Sequence, residues 1–277
     1  MLKFLMRWSG ATGDEATIFE WLAAAGQENI IIFFSQIMII VGIGVFLALT
    51  FYRASYGRYW NEAWFSEYAI NARVAWFFQE LPSLLFAMAA LYMYGSELTI
   101  PRFIAFIMFA GHYYQRSMIY PFLINGGKKT APHLFLSALA FCSYNGYIQA
   151  FYHVKFANFA PTHAFNIFSQ IGIVLFLTGL IINIHSDSIL RNLRQPGETG
   201  YKIPYGGMFE YVSAANFFGE ILEWFGYALY CQTWPAVAFA LFTLCNLGPR
   251  ASQHHQYYVK KFDNYPKDRR ILIPLFY

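Results

Sequence analysis

The chain has 277 residues, of which 57% are hydrophobic, 21% are aromatic and only 12% are charged. Soluble domains carry about 25% charged residues, and a soluble chain of this size could not bury so much apolar surface, so soluble globular, disordered and collagen-like classes are excluded. The net charge of +4 does not indicate nucleic-acid binding, because lysines and arginines in the loops of a membrane protein give the same value.

Residues 1–28 carry scattered charges, among them Lys3, Arg7 and Asp14. They lack the order of charged, apolar and small residues that is typical of a cleavable signal peptide. We predict an N-terminal interfacial segment over 1–28, followed by a single membrane domain over 29–277.

The membrane domain contains seven apolar stretches, each long enough or nearly long enough for a transmembrane helix, which needs about 17–25 mostly apolar residues. These stretches cover 29–52, 74–95, 102–124, 132–152, 166–187, 209–231 and 233–249. The sequence therefore predicts an all-α integral membrane protein, folded as a seven-transmembrane-helix bundle.

The distribution of basic residues predicts how this bundle is oriented. If the N-terminus lies outside, the four inner segments together hold 14 lysines and arginines, whereas the outer segments hold four. Cytoplasmic loops of membrane proteins carry such an excess. We therefore predict that the N-terminus lies outside and the C-terminus lies in the cytosol.

Residue types that often bind metals or retinal do not indicate such sites here. Cys142, Cys231 and Cys245 lie in or beside apolar runs without the spacing of a disulfide frame or a metal site, so we expect buried thiols. His254 and His255 are adjacent and point to different helix faces, and no third ligand is suitably spaced. We predict no metal. A retinal Schiff base is excluded because no lysine lies within a predicted span.

Ionisable residues inside the predicted spans are costly and usually functional. They are concentrated in the half of the bundle that is predicted to face the cytosol: Glu80, Arg116, Asp187, Glu220 and Glu223, with Asn183, Asn216, His112 and His185 near them. Many recur at a spacing of three or four residues, which places them on common helix faces. We predict a polar cavity open to the cytosol; the alternative is a set of interhelical ion pairs.

The residue types of this cavity favour a nucleotide cofactor. Arginine suits phosphate, acids and amides suit hydroxyl and carboxamide groups, and tyrosines suit ring stacking. The chain has no Rossmann fingerprint or P-loop, because Gly42 and Gly44 lie inside an apolar span and the run 126–130 lacks the first glycine. The turn-rich loop 195–207 follows Arg194 and is predicted to cover a phosphate site.

Longer runs carry a resemblance to a known family. They are AWFFQELPS at 75–83, His112-Tyr113 with Arg116, NIHSDSILRNLRQPGETGYKIPYGG at 183–207, EYVSAANFFGEILEWFGYAL at 210–229 and HHQYYVKKFDNYPKDRRILIPLFY at 254–277. From about Arg73 to its last residue the chain resembles the steroid 5α-reductase family, the 3-oxo-5α-steroid 4-dehydrogenases, with a C-terminal reductase signature over about 132–277.

The resemblance implies an integral-membrane, NADPH-dependent reductase of the Δ4 double bond of 3-oxosteroids. Glu80 and Tyr113 match the catalytic pair that binds the C3 carbonyl, and Trp76, one turn before Glu80, is assigned to the substrate site. The cofactor positions that it implies are Asn183, Asp187, Arg194, Tyr201, Asn216, Glu220, His254 and Tyr258, and Arg116 and Arg250 are expected to support the same site. Lys202, a cation of the loop 195–207, and Lys128 are also predicted to bind the cofactor. Lys128 stands where some members have arginine near the cofactor phosphates, so the charge is kept and the bidentate geometry is lost.

The expected partners are the lipid bilayer and a 3-oxo-Δ4 steroid, bound by a monomer in the endoplasmic reticulum of a eukaryote or the cytoplasmic membrane of a bacterium. Two alternatives stay open. One is a membrane reductase of another enone or of a polyprenol on the same scaffold. The other is a proton-coupled transporter, which should also have a polar path through the outer half; in the outer half of the fifth stretch, Ile171–Leu180, Thr178 is the one polar residue.

Overall fold

A computed structural model describes the protein over residues 25–52, 66–125, 129–194, 198 and 200–277. Helices dominate these ranges, where the strand-like pairings are the isolated bridges Ile70–Thr130 and Val212–Arg270. The predicted all-α class is therefore confirmed for the described residues.

A long helix lies on each of the seven predicted stretches. The helices are Gln27–Phe51 (α1), Ala72–Tyr94 (α2), Ile100–Tyr114 (α3), Pro132–Phe151 (α4), Ile167–Asn192 (α5), Ala215–Cys231 (α6) and Trp234–Lys261 (α7). Two of them continue in π-helical turns, α3 through Gln115–Ile119 and α4 through Tyr152–Phe156. The short helical segments are Ser66–Tyr68, Gly95–Glu97, Tyr120–Leu123, His163–Phe165 and Gly207–Glu210.

Two helix boundaries differ clearly from the predicted stretches. α6 begins at Ala215 rather than at 209, because Gly206 and Gly207 adopt positive φ and lead into a separate 3₁₀ turn. α7 does not end at 249 but continues to Lys261, with Pro249 inside it. The apolar run ends there, but the following residues include good helix formers, so the end of an apolar stretch does not mark the end of the helix.

Three described helical segments are long and apolar enough to cross a membrane: Gln27–Phe51, Ala72–Glu97 and Ile167–Asn192. Large apolar side chains are exposed along all three, for example Phe46 on α1, Leu85 on α2 and Ile181 on α5. A contiguous apolar surface of this kind is unfavourable in water and favourable in lipid, so the molecule fits a bilayer environment.

The closest helix pair, α5 and α6, is joined through glycines. Gly172 on α5 faces Gly226 on α6, and Gly179 on α5 faces Gly219 on α6. On each helix the two glycines are seven residues apart. A Cβ atom on Gly172 would lie 2.5 Å from the backbone nitrogen of Tyr230, so each glycine admits the opposing backbone itself. Small residues allow this approach between membrane helices. The crossing sets the C-terminal half of α5 against the N-terminal half of α6.

The C-terminal tail folds back onto the loop before α6. Ser213 Oγ is 2.6 Å from His255 Nδ1 and 2.7 Å from the Tyr265 hydroxyl. Arg269, which is 2% exposed, donates from Nη1 to the backbone oxygen of Pro204 at 2.9 Å. Burial raises the pKa of Tyr265, so its hydroxyl keeps its proton and can donate a hydrogen bond. These contacts fix the segment that leads into α6.

Candidate functional site

A cavity of about 650 Å³ lies between the helices and has one apolar and one polar wall. The apolar wall consists of side chains from α1, α4 and α7, including Val45, Leu49, Leu134, Phe141 and Phe242. The polar wall is contributed mainly by α2, α3, α5, α6 and α7. Such a space suits a ligand that is largely hydrocarbon and carries polar groups at one end.

The structure brings ten of the residues predicted from the sequence to this cavity: Trp76, Glu80, His112, Tyr113, Arg116, Asp187, Asn216, Glu220, Arg250 and His254. Asn183 lies directly behind the wall, where its Nδ2 donates to Asn216 O at 3.0 Å and to Glu220 Oε2 at 3.4 Å. Lys128 lies outside the described residues. The remaining predicted residues, Arg194, Tyr201, Lys202 and Tyr258, are not part of the cavity wall.

An ion pair forms the charged centre of the polar wall. Arg116 Nη1 donates to Asp187 Oδ2 at 2.8 Å, and Asn216 Nδ2 donates to Asp187 Oδ1 at 3.2 Å. The guanidinium group of Arg116 also lies over two rings, 4.6 Å from the centre of Trp76 and 4.5 Å from that of Tyr120. The Trp76 and Tyr120 rings also contact each other, with centres 5.0 Å apart. Arg116 therefore contacts α2 through Trp76 and α5 through Asp187, and it links both helices to the end of α3.

The π-helical turn Gln115–Ile119 explains how Arg116 reaches this position. Such turns interrupt the regular helix repeat and are frequent at functional sites. Tyr113 and Arg116 lie on either side of the start of this turn, and both face the cavity. The close crossing of α5 and α6 at their glycines brings Asp187 within hydrogen-bonding distance of Asn216.

Glu80 and Tyr113 approach the cavity from neighbouring helices, α2 and α3. Glu80 Oε2 accepts a hydrogen bond from the Cys142 thiol at 3.5 Å, and Glu80 Oε1 accepts one from Gln79 Nε2 at 3.5 Å. Tyr113 is 3% exposed, and its hydroxyl oxygen accepts a hydrogen bond from Asn145 Nδ2 at 3.3 Å. Two groups with the capacity to bind one carbonyl oxygen therefore line one side of the cavity.

Sequence reasoning missed several partners of this pair. Cys142 and Asn145 come from α4, which carried no predicted site residue. The signal was weak: two amides, Asn145 and Gln149, stand four residues apart within an apolar run. His112 and Glu223 were seen as costly residues but not as a pair, yet His112 Nδ1 lies 2.7 Å from Glu223 Oε1 in the buried interior.

An aromatic and cationic part of the cavity lining is formed by α6 and α7. The guanidinium of Arg250 lies 5.2 Å from the ring centre of Phe217, and the ring of His254 lies 5.3 Å from the same centre. Phe217 was not predicted as a site residue. A planar ring flanked by a cation and an imidazole has the chemistry to bind an aromatic or anionic group.

Of the predicted residues outside the cavity wall, Arg194, Tyr201 and Lys202 lie in or beside the loop 195–207, and Tyr258 lies on α7. Arg194 lies over the ring of Tyr201 at 5.4 Å, and Lys202 forms an ion pair with Glu198. Tyr201 in turn contacts Tyr257 on α7, with ring centres 5.5 Å apart.

Tyr258 is buried against the C-terminal tail. Its ring stacks on that of Tyr265, at 5.5 Å and nearly parallel. This residue therefore contributes to packing of the tail.

The donor set of the polar wall fits a nicotinamide dinucleotide. Carboxylate and amide groups of Asp187, Asn216 and Glu220 suit hydroxyl and carboxamide groups, and Arg250 suits a phosphate. Among the buried side-chain atoms that have no hydrogen-bond partner in the described residues is Nη1 of Arg191, whose guanidinium lies 5.5 Å from the ring of Tyr120. A buried polar atom of this kind generally has a partner in the working molecule.

Comparison with known proteins gives the same assignment. A family model described as 3-oxo-5-alpha-steroid 4-dehydrogenase matches residues 128–277. The 3-oxo-5-alpha-steroid 4-dehydrogenase 1 of Mus musculus is 49% identical over 231 residues, covering 83% of this chain and 90% of the relative. The chain belongs to the 3-oxo-5-alpha-steroid 4-dehydrogenase family. The resemblance inferred from the sequence is therefore confirmed.

Other members of the 3-oxo-5-alpha-steroid 4-dehydrogenase family extend the comparison. The type 1 protein of Homo sapiens is 44% identical over 91% of this chain and 97% of the relative. The type 2 protein of Rattus norvegicus is 45% identical over 81% of this chain and 88% of the relative. The human match covers so much of the chain that it includes α2 and α3, which carry Glu80 and Tyr113 and precede residues 128–277.

Proposed function

We propose that this protein reduces the Δ4 double bond of 3-oxosteroids to 5α-3-oxosteroids with NADPH as the reductant. The observation that carries the proposal is a single cavity that combines Glu80 and Tyr113 with the Arg116–Asp187 pair, in a chain of this family. The apolar wall suits the steroid skeleton, and the polar wall suits the cofactor.

The activity is tested with purified protein, NADPH and a 3-oxo-Δ4 steroid. Loss of reduced-nicotinamide absorbance and formation of the 5α product are expected. The matched control is the same steroid with the ring already saturated, which retains the ketone and offers no double bond. Consumption of NADPH at equal rates with both compounds, or with neither, contradicts the proposal.

Reduction of the enone requires hydrogen-bond donors at the C3 oxygen. Addition of hydride to C5 of the enone moves negative charge onto that oxygen, and donors that meet the charge stabilise the transition state. Tyr113 has this role in the proposal. Glu80 shares it as a carboxylic acid, because a carboxylate oxygen only accepts, or else holds the Tyr113 hydroxyl in line. When bound, NADPH supplies the hydride, and the protein supplies the orientation.

The proposed cofactor site extends from the Arg116–Asp187 pair along α6 and α7. Asp187, Asn216 and Glu220 are positioned for polar groups, with Asn183 supporting them from behind. Arg250 and His254 flank Phe217 and are proposed to hold a ring or phosphate. Lys128 and Tyr258 keep their proposed connection to this site through the family resemblance alone. Trp76 is proposed to shape the substrate site through its contact with Arg116.

We expect Arg194→Ala to raise the KM for NADPH more than the KM for NADH. The extra 2′-phosphate of NADPH needs a cation, and Arg194 lies at the start of the predicted loop, stacked on Tyr201. Steady-state kinetics with both cofactors measures the difference. The matched control is Lys202→Ala, with a smaller expected effect because Glu198 already pairs with Lys202. An equal rise for the two cofactors in Arg194→Ala shows that this residue does not distinguish them.

We also propose that all seven long helices cross the membrane, that the N-terminus lies outside and that the protein works as a monomer. The split of 14 inner against four outer basic residues supports this orientation. The proposed compartment is the endoplasmic reticulum in a eukaryote or the cytoplasmic membrane in a bacterium. Reporters that are active on only one side, fused to each end, should give a cytosolic signal at the C-terminus alone. A cytosolic signal from the N-terminal fusion refutes the orientation.

A further inference from the structure

A chain of buried amides runs from the start of α7 to the hydroxyl of Tyr113. Gln149 Nε2 donates to the backbone oxygen of Pro235 at 2.7 Å and to Asn145 Oδ1 at 3.2 Å. Asn145 Nδ2 then lies 3.3 Å from the Tyr113 hydroxyl oxygen. Asn145 and Gln149 are both completely buried. The chain therefore links α7, α4 and α3 without exposure to solvent.

The direction of every hydrogen bond in this chain follows from its first member. A backbone carbonyl only accepts, so the nitrogen of the Gln149 amide must face Pro235. The second hydrogen of the same nitrogen points to Asn145, whose oxygen must accept it. This fixes the Asn145 amide with its nitrogen towards Tyr113. The Tyr113 oxygen therefore receives a hydrogen, and its own hydrogen must be donated to a different acceptor.

The neighbours of Tyr113 leave few acceptors for that hydrogen. Glu80 and Ser83 on α2 lie near Tyr113, and the hydrogen of Ser83 is donated to the backbone oxygen of Cys142 at 2.8 Å. The Ser83 oxygen and the Glu80 carboxylate can therefore act only as acceptors towards Tyr113. The other direction is the cavity, which Tyr113 lines. A ligand oxygen in the cavity thus meets a tyrosine that is already oriented as a donor.

We propose that Asn145 is a positioning residue that makes Tyr113 a hydrogen-bond donor towards the substrate carbonyl, with Gln149 fixing the orientation of Asn145. The inference rests on the proposed reduction of an enone in this cavity. A hydroxyl that accepts one hydrogen bond becomes a stronger donor in another. Asn145 therefore acts on the reaction through Tyr113 without touching the substrate.

The test is a double-mutant cycle between Asn145→Leu and Tyr113→Phe, measured as kcat with 3-oxo-Δ4 steroid and NADPH. Asn145→Leu keeps a similar size and removes the donor, and we expect kcat to fall about tenfold, the effect of one hydrogen bond. In the Tyr113→Phe background the same substitution should change kcat less than about twofold, because no hydroxyl remains to be oriented. The KM for NADPH should stay unchanged throughout.

A purely structural role of Asn145 predicts a different result. The loss on Asn145→Leu would then be the same in both backgrounds, and that outcome overturns the proposal, as does an unchanged kcat in the single variant. Gln149→Leu provides a second route if Asn145→Leu does not fold, with the same expected dependence on Tyr113. The matched control is Gln36→Leu, another buried amide, which has no hydrogen-bond partner among the described residues and should leave kcat unchanged.

A spectroscopic measurement separates this inference from the proposed function. The infrared C–O stretch of Tyr113, isolated as the difference between wild type and Tyr113→Phe, reports the hydrogen bonds of its hydroxyl without turnover. We expect Asn145→Leu to shift it and Gln36→Leu to leave it in place. An unshifted band overturns the inference. If Asn145→Leu shifts the band but the wild-type protein does not reduce the steroid, the proposed function alone has failed.

Discussion

Tyr113→Phe is expected to lower kcat by about 10²–10³-fold, the usual cost of removing one donor to a developing oxyanion. The KM for NADPH should change little, because Tyr113 is not one of the residues proposed to hold the cofactor. Steady-state kinetics with the purified protein measures both constants. The matched control is Tyr144→Phe on α4, whose hydroxyl donates to the backbone oxygen of Phe34 at 2.6 Å and does not line the cavity; its kcat should stay near the wild-type value.

Substitutions of Glu80 extend this result. Glu80→Gln keeps the shape and a donor, so it should retain more activity than Glu80→Ala. The combined Glu80 and Tyr113 variants should lose less than the product of the single losses, because both groups act on one oxygen. A Tyr113→Phe protein with normal kcat, or losses that multiply independently, contradicts the shared role of the two residues.

Gly179→Ala is expected to destabilise the protein by about 1–3 kcal/mol or more, the usual cost of overpacking a tightly packed interior. The added methyl group would overlap the backbone of Glu223 on α6 and lie 2.5 Å from the backbone oxygen of Gly219, neither of which is the flexible end of a side chain. The two helices would have to separate. Thermal unfolding in detergent should show a clearly lower Tm, with a higher KM for NADPH because Asp187 and Asn216 would move apart.

The matched control for this prediction is Gly44→Ala on α1. Gly44 is also inside a long helix, but a Cβ atom there meets nothing within 4 Å. Since alanine is the better helix former, the Tm should stay the same or rise slightly. Equal Tm values for Gly179→Ala and wild type would show that the close crossing of α5 and α6 is not needed for stability.

Apolar patterning predicted where the helices lie because hydrophobic runs and helices coincide in a chain of this composition. It misplaced the start of α6 and the end of α7, where helix boundaries depend on backbone geometry and packing rather than on hydropathy. The glycines of α5 and α6 were visible in the sequence. That Gly179 faces Gly219 depends on the rotation of two helices about their axes, which no local pattern specifies.

In the candidate site, too, local patterns predicted some residues, whereas contacts between helices could not be predicted. The cost of ionisable groups in apolar stretches pointed to Arg116 and Asp187, and the structure joins them at 2.8 Å. The contribution of α4 was not predictable, because Asn145 joins the site only through its hydrogen bond to Tyr113 on another helix. The cofactor contact of Tyr258, implied by the resemblance, stays a prediction; its stacking on Tyr265 could not be predicted, because it depends on how the tail folds back.

The most direct test of the central claim follows the hydride to its destination. The purified protein is incubated with a 3-oxo-Δ4 steroid and NADPH carrying deuterium at both positions of C4 of the nicotinamide, and the product is analysed by NMR. The account predicts one deuterium at C5 on the α face and an intact C3 ketone, because charge is directed onto the C3 oxygen. Deuterium at C3, which would mean reduction of the carbonyl itself, or a product with the 5β configuration would contradict it.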